Sequence, residues 1–188
     1  MIPESFINTN IIDTCAIWNL LSSETLFHRS RACKHTYITT PTVLYECLIK
    51  PRTPPITQAK ETLRSRLQAH LRTGELTELK ISIDDLHEVS QLSSRLGQGE
   101  LSCAAAARKI HQAVMTDNRR DFRAIESLID GRLQTTPRLL GWLVLNNHLG
   151  DTEVQTVISE HKELEGSLHG VYLIAYHEAL EIRLKRQT

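Results

Sequence analysis

Net charge is the first thing this chain lacks. Its 22 Lys and Arg balance 22 Asp and Glu, so no global electrostatic pull toward nucleic acid or membrane exists and only local patches remain to be weighed. Long hydrophobic runs are missing too: no stretch approaches the roughly eighteen apolar residues of a membrane span, and the opening MIPESFINTNIIDT has neither a basic n-region nor an extended apolar segment. A cytoplasmic protein with no membrane segment is the expectation. Paired cysteines at metal spacing are absent. Cys15, Cys33, Cys47 and Cys103 are widely and irregularly placed without a CxxC, which argues against zinc and for reduced thiols. The nine histidines share no ligand spacing. There is neither GxGxxG nor GxxxxGK(S/T), disfavouring dinucleotide and P-loop nucleotide binding, and no GxSxG elbow for a hydrolytic triad. The position two beyond Asp13 is Cys15 rather than Asp, against a phosphatase of the Asp-x-Asp type.

What is present is an ordinary soluble composition, 40% hydrophobic and 23% charged, in a chain long enough for one well-buried domain with a small addition. Strand-like runs are expected at 8–12, 35–40, 76–81, 113–117 and 133–136. Helical patterns lie between them, among them a helix after Pro41 carrying Glu46, a long amphipathic one over 56–73, and one opening near Gly99 with Glu100 in its first turn. This alternation predicts a parallel α/β sheet covered on both faces. From Pro137 onward the pattern is helical. The division expected is a domain at 1–136 and a helical extension at 137–188 packed on it.

Four acids fall at one edge of such a sheet. Asp13 and Asp117 end strands, Glu46 lies one turn into a helix that follows a strand, and Glu100 opens another; Asp121 supports them from four residues on. Ligands of open parallel sheets gather outside the carboxyl ends of the strands. Clustered carboxylates repel unless a cation neutralises them, and hard oxygen donors without imidazole point to Mg²⁺ or Mn²⁺. Glu100 and Asp121 also suit ordinary helix N-terminal charge preference.

The segments IIDTCAI, TTPTVLYECL, GQGELSCAAAA and VMTDNRRDF, in that order, resemble those of PIN-domain nucleases, a family that includes the toxin ribonucleases of toxin–antitoxin pairs. The resemblance covers about residues 8–130. It implies a three-layer α/β/α fold with additional C-terminal helices, and Asp13, Glu46, Glu100 and Asp117 as acidic metal ligands and catalytic residues. Thr14, and Thr116 or Asn118, would orient ligands or water. Asn118 stands where many relatives have a second Asp, a departure that lowers the expected metal affinity. The implied activity is Mg²⁺- or Mn²⁺-dependent endoribonuclease hydrolysis that leaves a 3′-hydroxyl, with RNA as substrate and an antitoxin as partner. The alternative is a catalytically weak or inactive module of the same fold that holds RNA or a protein.

Basic residues concentrate in two places. Lys50, Arg52, Lys60, Arg64, Arg66 and Arg72 face one acid, Glu61, across 50–72, and Arg119, Arg120 and Arg123 lie beside the acids. Arg64, Arg66, Arg119, Arg120 and Arg123 are the expected phosphate contacts; a solvated helix face is the plainer reading of the first group. Val171, Leu173, Ile174, Ala175 and Leu180 make the last helix apolar enough to pack on the domain, on a second copy as a homodimer, or on an antitoxin-like partner.

Overall fold

A computed structural model of the chain describes residues 5–51, 56–93 and 95–187. Arg52, Pro54 and Pro55 therefore lie outside the described residues. Five parallel strands, β1 Thr9–Ile12, β2 Thr36–Thr39, β3 Leu76–Glu78, β4 Ala113–Met115 and β5 Leu133–Gln134, form one sheet in the order β3-β2-β1-β4-β5. β1 sits centrally, its Ile11 aligned with Ile38 of β2 and Val114 of β4. Both faces of the sheet are covered, and Ile11, Ile12, Val114 and Met115 are fully enclosed, as a parallel sheet between helices requires. The fold is three-layered α/β/α.

Each crossover between parallel strands is helical. α1 Thr14–Leu21 and α2 Glu24–Ala32 join β1 to β2; α3 Pro41–Leu48 and α4 Gln58–Thr73 join β2 to β3. α5 Ile83–Leu92 and α6 Gln98–Ile110 lead to β4, and α7 Phe122–Leu128 to β5. The starts follow capping chemistry. Thr40 caps α3 through the Val43 N–H with Pro41 in the first turn, and Ser82 and Asp85 close a capping box on α5. α4 stops at Gly74, whose φ of 74° glycine adopts without strain. One helix, α2, has no counterpart in the sequence reading. Its sequence ETLFHRSRA is mostly polar and buries only Leu26, Phe27 and Ser30, too few for a readable stripe.

Chain order and sheet order part company at β1. From there the chain builds outward to β2 and β3 on one side, then returns to place β4 and β5 on the other. The loops leaving β1 and β4 consequently diverge at neighbouring carboxyl ends, the place where open parallel sheets form binding crevices.

Three helices follow β5: α8 Thr136–Leu145, α9 Asp151–Glu163 and α10 His169–Gln187. α10 anchors through Tyr172, Ala175 and Ala179, all buried, while Ile174 is exposed. The apolar positions read from sequence are therefore divided between the core and the surface. None of the helices among the described residues is long and apolar enough to cross a membrane.

His161 of α9 is fully buried. Its Nδ1 lies 2.5 Å from the Ser22 hydroxyl, which itself donates to the Asn19 carbonyl, and its Nε2 accepts the Leu168 N–H at 2.9 Å. The network thus assigns the neutral Nδ1–H tautomer. A side chain on Gly166 would come within 2.2–2.4 Å of three ring atoms, so only glycine fits against this face. Burial pushes the imidazole pKa down to about 4, with the charge on His169 acting in the same direction. The unfolded chain takes its proton near 6.5, so between these values it binds more protons than the native state. Stability therefore falls as pH drops through that window, by about 3 kcal/mol. Urea melts of wild type and His161→Gln between pH 7 and 4 isolate this contribution, because other titrating groups cancel. The wild type's advantage is expected to shrink by that amount, and a pH-independent difference would contradict it.

Candidate active site

The crevice between β1 and β4 is floored by Asp13, which is 3% exposed. It caps α1, accepting the Ala16 N–H at 2.8 Å; the Thr116 hydroxyl donates to its other oxygen at 2.5 Å. The Cys15 thiol stands 3.1 and 3.2 Å from the two oxygens. Burial raises the Asp13 pKa to about 7 against the pull of these donors, and the same enclosure holds the Cys15 thiol protonated. Nothing in the irregular cysteine spacing signals this role. The position does, because Cys15 lies in the first turn of a helix whose N-cap is the acid.

A chain of polar contacts runs outward from Asp13. On one side Thr14 donates to Glu46 at 2.7 Å, joining α1 to α3. The backbone of Gly99 passes so close that a Cβ there would meet the Glu46 carboxylate at 2.8 Å. On the other side the Thr116 oxygen accepts the Asn118 N–H at 3.1 Å. The Asn118 amide donates to Asp121 and reaches Glu100 at 3.5 Å. Asp13, Thr14, Glu46, Glu100, Thr116, Asn118 and Asp121 thus form one contiguous constellation drawn from α1, α3, α6 and the β4–α7 segment.

Asp117 is not part of it. Its carboxylate accepts the Thr136 N–H at 3.0 Å, the Thr136 hydroxyl at 2.7 Å and the Asn19 amide at 2.9 Å. Tyr172 of α10 adds a hydroxyl to Thr136 at 3.2 Å. Burial raises the Asp117 pKa while the Asn19 and Thr136 bonds oppose it. Successive residues of an extended chain point to opposite sides. Thr116 turns to Asp13, whereas the Asp117 carboxylate turns to Thr136 and Asn19, still near enough to help raise the Asp13 pKa, and Asn118 returns toward Glu100. Asp117 meets the N-terminus of α8, where the helix dipole favours a negative group, while Asp121 lies beside Asn118.

The basic residues also separate. Arg64 donates to the Leu48 carbonyl at the end of α3, and Arg66 to the Leu21 carbonyl at 2.8 Å while pairing with Glu24 at 2.9 Å. Both guanidiniums are partly buried and already engaged by groups of the fold. Arg119, Arg120 and Arg123 are exposed beside Asp121, with no ion pair among the described residues.

As placed, no three His, Cys, Asp or Glu side chains among the described residues close on one point tightly enough to grip an ion. The donors nevertheless fit Mg²⁺ or Mn²⁺ in kind, being carboxylates, hydroxyls and an amide. Gly99 lets the Glu46 carboxylate lie against the first turn of α6, a position that any Cβ there would disturb. Asp13, Glu46, Glu100 and Asp121 are the residues that could hold such a cation, with Asn118 bridging two of them. No protein-family model matches this chain, and no curated protein matches it.

Proposed function

We propose that this protein is a Mg²⁺- or Mn²⁺-dependent endoribonuclease of the PIN-domain kind, acting as the toxin of a toxin–antitoxin pair. The observation that carries the reading is two sets of acidic and hydroxyl side chains, Thr14 with Glu46 and Asp13 through Thr116 and Asn118 to Glu100 and Asp121, meeting at the adjacent residues Asp13 and Thr14. Asp13, Glu46, Glu100 and Asp121 would hold the cation. A divalent ion there supplies phosphate charge neutralisation and water activation for phosphodiester hydrolysis.

The chain's own residues have distinct tasks. Thr14 and Thr116 fix the orientation of the Glu46 and Asp13 carboxylates. Asn118 aligns Glu100 and Asp121 without adding charge. Arg119, Arg120 and Arg123 contact phosphates and position the strand. Asn118 also supports the second reading, an RNA-holding module of weak or no turnover, because an amide in place of a carboxylate leaves the site one negative charge poorer.

Cleavage of a mixed RNA pool in Mn²⁺ or Mg²⁺ tests the proposal. Turnover that a chelator stops is expected, and RNA binding without turnover selects the second reading. Gly99→Ala gives an internal check. The added methyl displaces the Glu46 carboxylate but improves helix propensity by up to about 1 kcal/mol. Cleavage is expected to fall about tenfold, the size of a disturbed ligand position, with no loss in melting temperature. Undiminished cleavage would remove Glu46 from the site.

A further inference from the structure

The segment joining β4 to α7 has two sides. Asn118 and Asp121 face Glu100, whereas Asp117, Arg119 and Phe122 line a separate cleft of about 310 Å³ whose far wall is α10. The two spaces share this one stretch of chain as a partition. Chemically the cleft is mixed: Phe122, Leu168 and Val171 give apolar walls, Arg119 and Arg138 add cations, and Asp117, Glu126 and Glu178 add carboxylate acceptors. Arg138 is held in place by a bond to the Leu133 carbonyl at 3.1 Å, and Arg119 is exposed.

A groove for an aliphatic side chain needs no cations, and a track for phosphates alone needs no aromatic wall. A planar base attached to a phosphate uses both, together with an acceptor for its ring edge. We propose that this cleft receives one base of the RNA strand, from a nucleotide next to the cleaved phosphate, and so selects which single-stranded sequences are cut. The inference rests on the nuclease reading above. The volume lies at the small end of the roughly 300–1,000 Å³ typical of ligand pockets, suiting one nucleoside and not a duplex. A base must leave its stack to enter, so unpaired strands and loops are the substrates. Asp117 is the rigid post between the two spaces, tied to α8 and α1, and Arg119, Arg120 and Arg123 lead the backbone across it.

Methyl NMR on the full chain provides the test, following Leu168 and Val171 as each of the four nucleoside 5′-monophosphates is added, with ribose 5-phosphate as the baseless control. Saturable shifts are expected with at least one nucleotide, about tenfold weaker with ribose 5-phosphate, the loss expected for one stacked base. Val171→Trp fills the cleft from a half-buried position away from the acids and abolishes these shifts. Should that variant fail to fold, Phe122→Ala is expected to weaken nucleotide binding about tenfold, and unchanged binding would overturn the stacking role. No base-dependent shifts in the wild type, or an equal response to ribose 5-phosphate, overturns the proposal. RNA cleavage measured in parallel keeps the two readings apart. Cleavage without base-dependent shifts sinks the cleft alone; shifts without cleavage sink the nuclease and leave a nucleotide site.

Discussion

Asp121→Asn lowers RNA cleavage in Mn²⁺ by about 100-fold or more, the several kcal/mol of transition-state stabilisation that a cation site supplies. Its melting temperature stays within about 2 °C of wild type, the range of a polar substitution at a partly exposed position. The separation of the two effects follows from where Asp121 sits. It lies at the N-cap of α7 but makes no capping bond with its side chain, so helix stability loses only a modest charge–dipole interaction of about 0.3–1 kcal/mol. Its recognised partner is the Asn118 amide, which bridges to Glu100. The substitution keeps the shape and removes the charge a cation needs. Wild-type cleavage by this variant, with Mn²⁺ affinity unchanged in calorimetry, would remove Asp121 from the site.

Asp117→Ala behaves in the opposite manner. It is expected to destabilise the fold by about 3 kcal/mol, since buried donors left without an acceptor cost about 1–3 kcal/mol each. That loss corresponds to roughly 6–12 °C for a chain of this size. Three donors are stranded, the Thr136 N–H, the Thr136 hydroxyl and the Asn19 amide. Relief of a desolvated carboxylate offsets part of the loss. Asp117→Asn keeps one oxygen for the Thr136 N–H and is expected to cost about half as much. At a temperature where Asp117→Asn remains folded, it should still cleave RNA. Abolished cleavage at native-like stability would restore Asp117 to the ligand set and displace Asp121.

The different surroundings of these two acids mark where the sequence stops being readable. All five strands lie within runs recognisable from β-rich apolar composition, and most helices announce themselves by apolar spacing, by Pro41 and Pro137, or by Gly74. α2 does not, because its two main anchors, Leu26 and Phe27, are neighbours and create no periodic stripe. The order of the strands is equally silent. It depends on which hydrophobic faces meet, not on any local residue.

That acids collect near one edge was legible; which of them face the crevice was not. Resolving it needed the two-residue alternation to be carried past the end of β4 and through Thr116, Asp117 and Asn118. The internal bonds of Arg64 and Arg66 were hidden for a related reason. Their acceptors, main-chain carbonyls of Leu48, Leu21 and Ser22, are distant in sequence and belong to groups that every residue carries. Cys15 and Gly99 were legible only as spacing, and each acquires meaning from a neighbour that the fold supplies.

The placement of β1 beside β4 also sets a clock. Asp13 leaves the ribosome well before the hydroxyl that holds it, which belongs to Thr116, 103 residues later. At synthesis rates of about 5–20 residues per second, that interval lasts roughly 5–20 s. Thr136 and Tyr172, which brace Asp117, emerge later still. The acidic cluster is thus assembled only after Thr116 and the later residues that brace Asp117 have been made, so any chemistry it carries is delayed relative to the synthesis of Asp13.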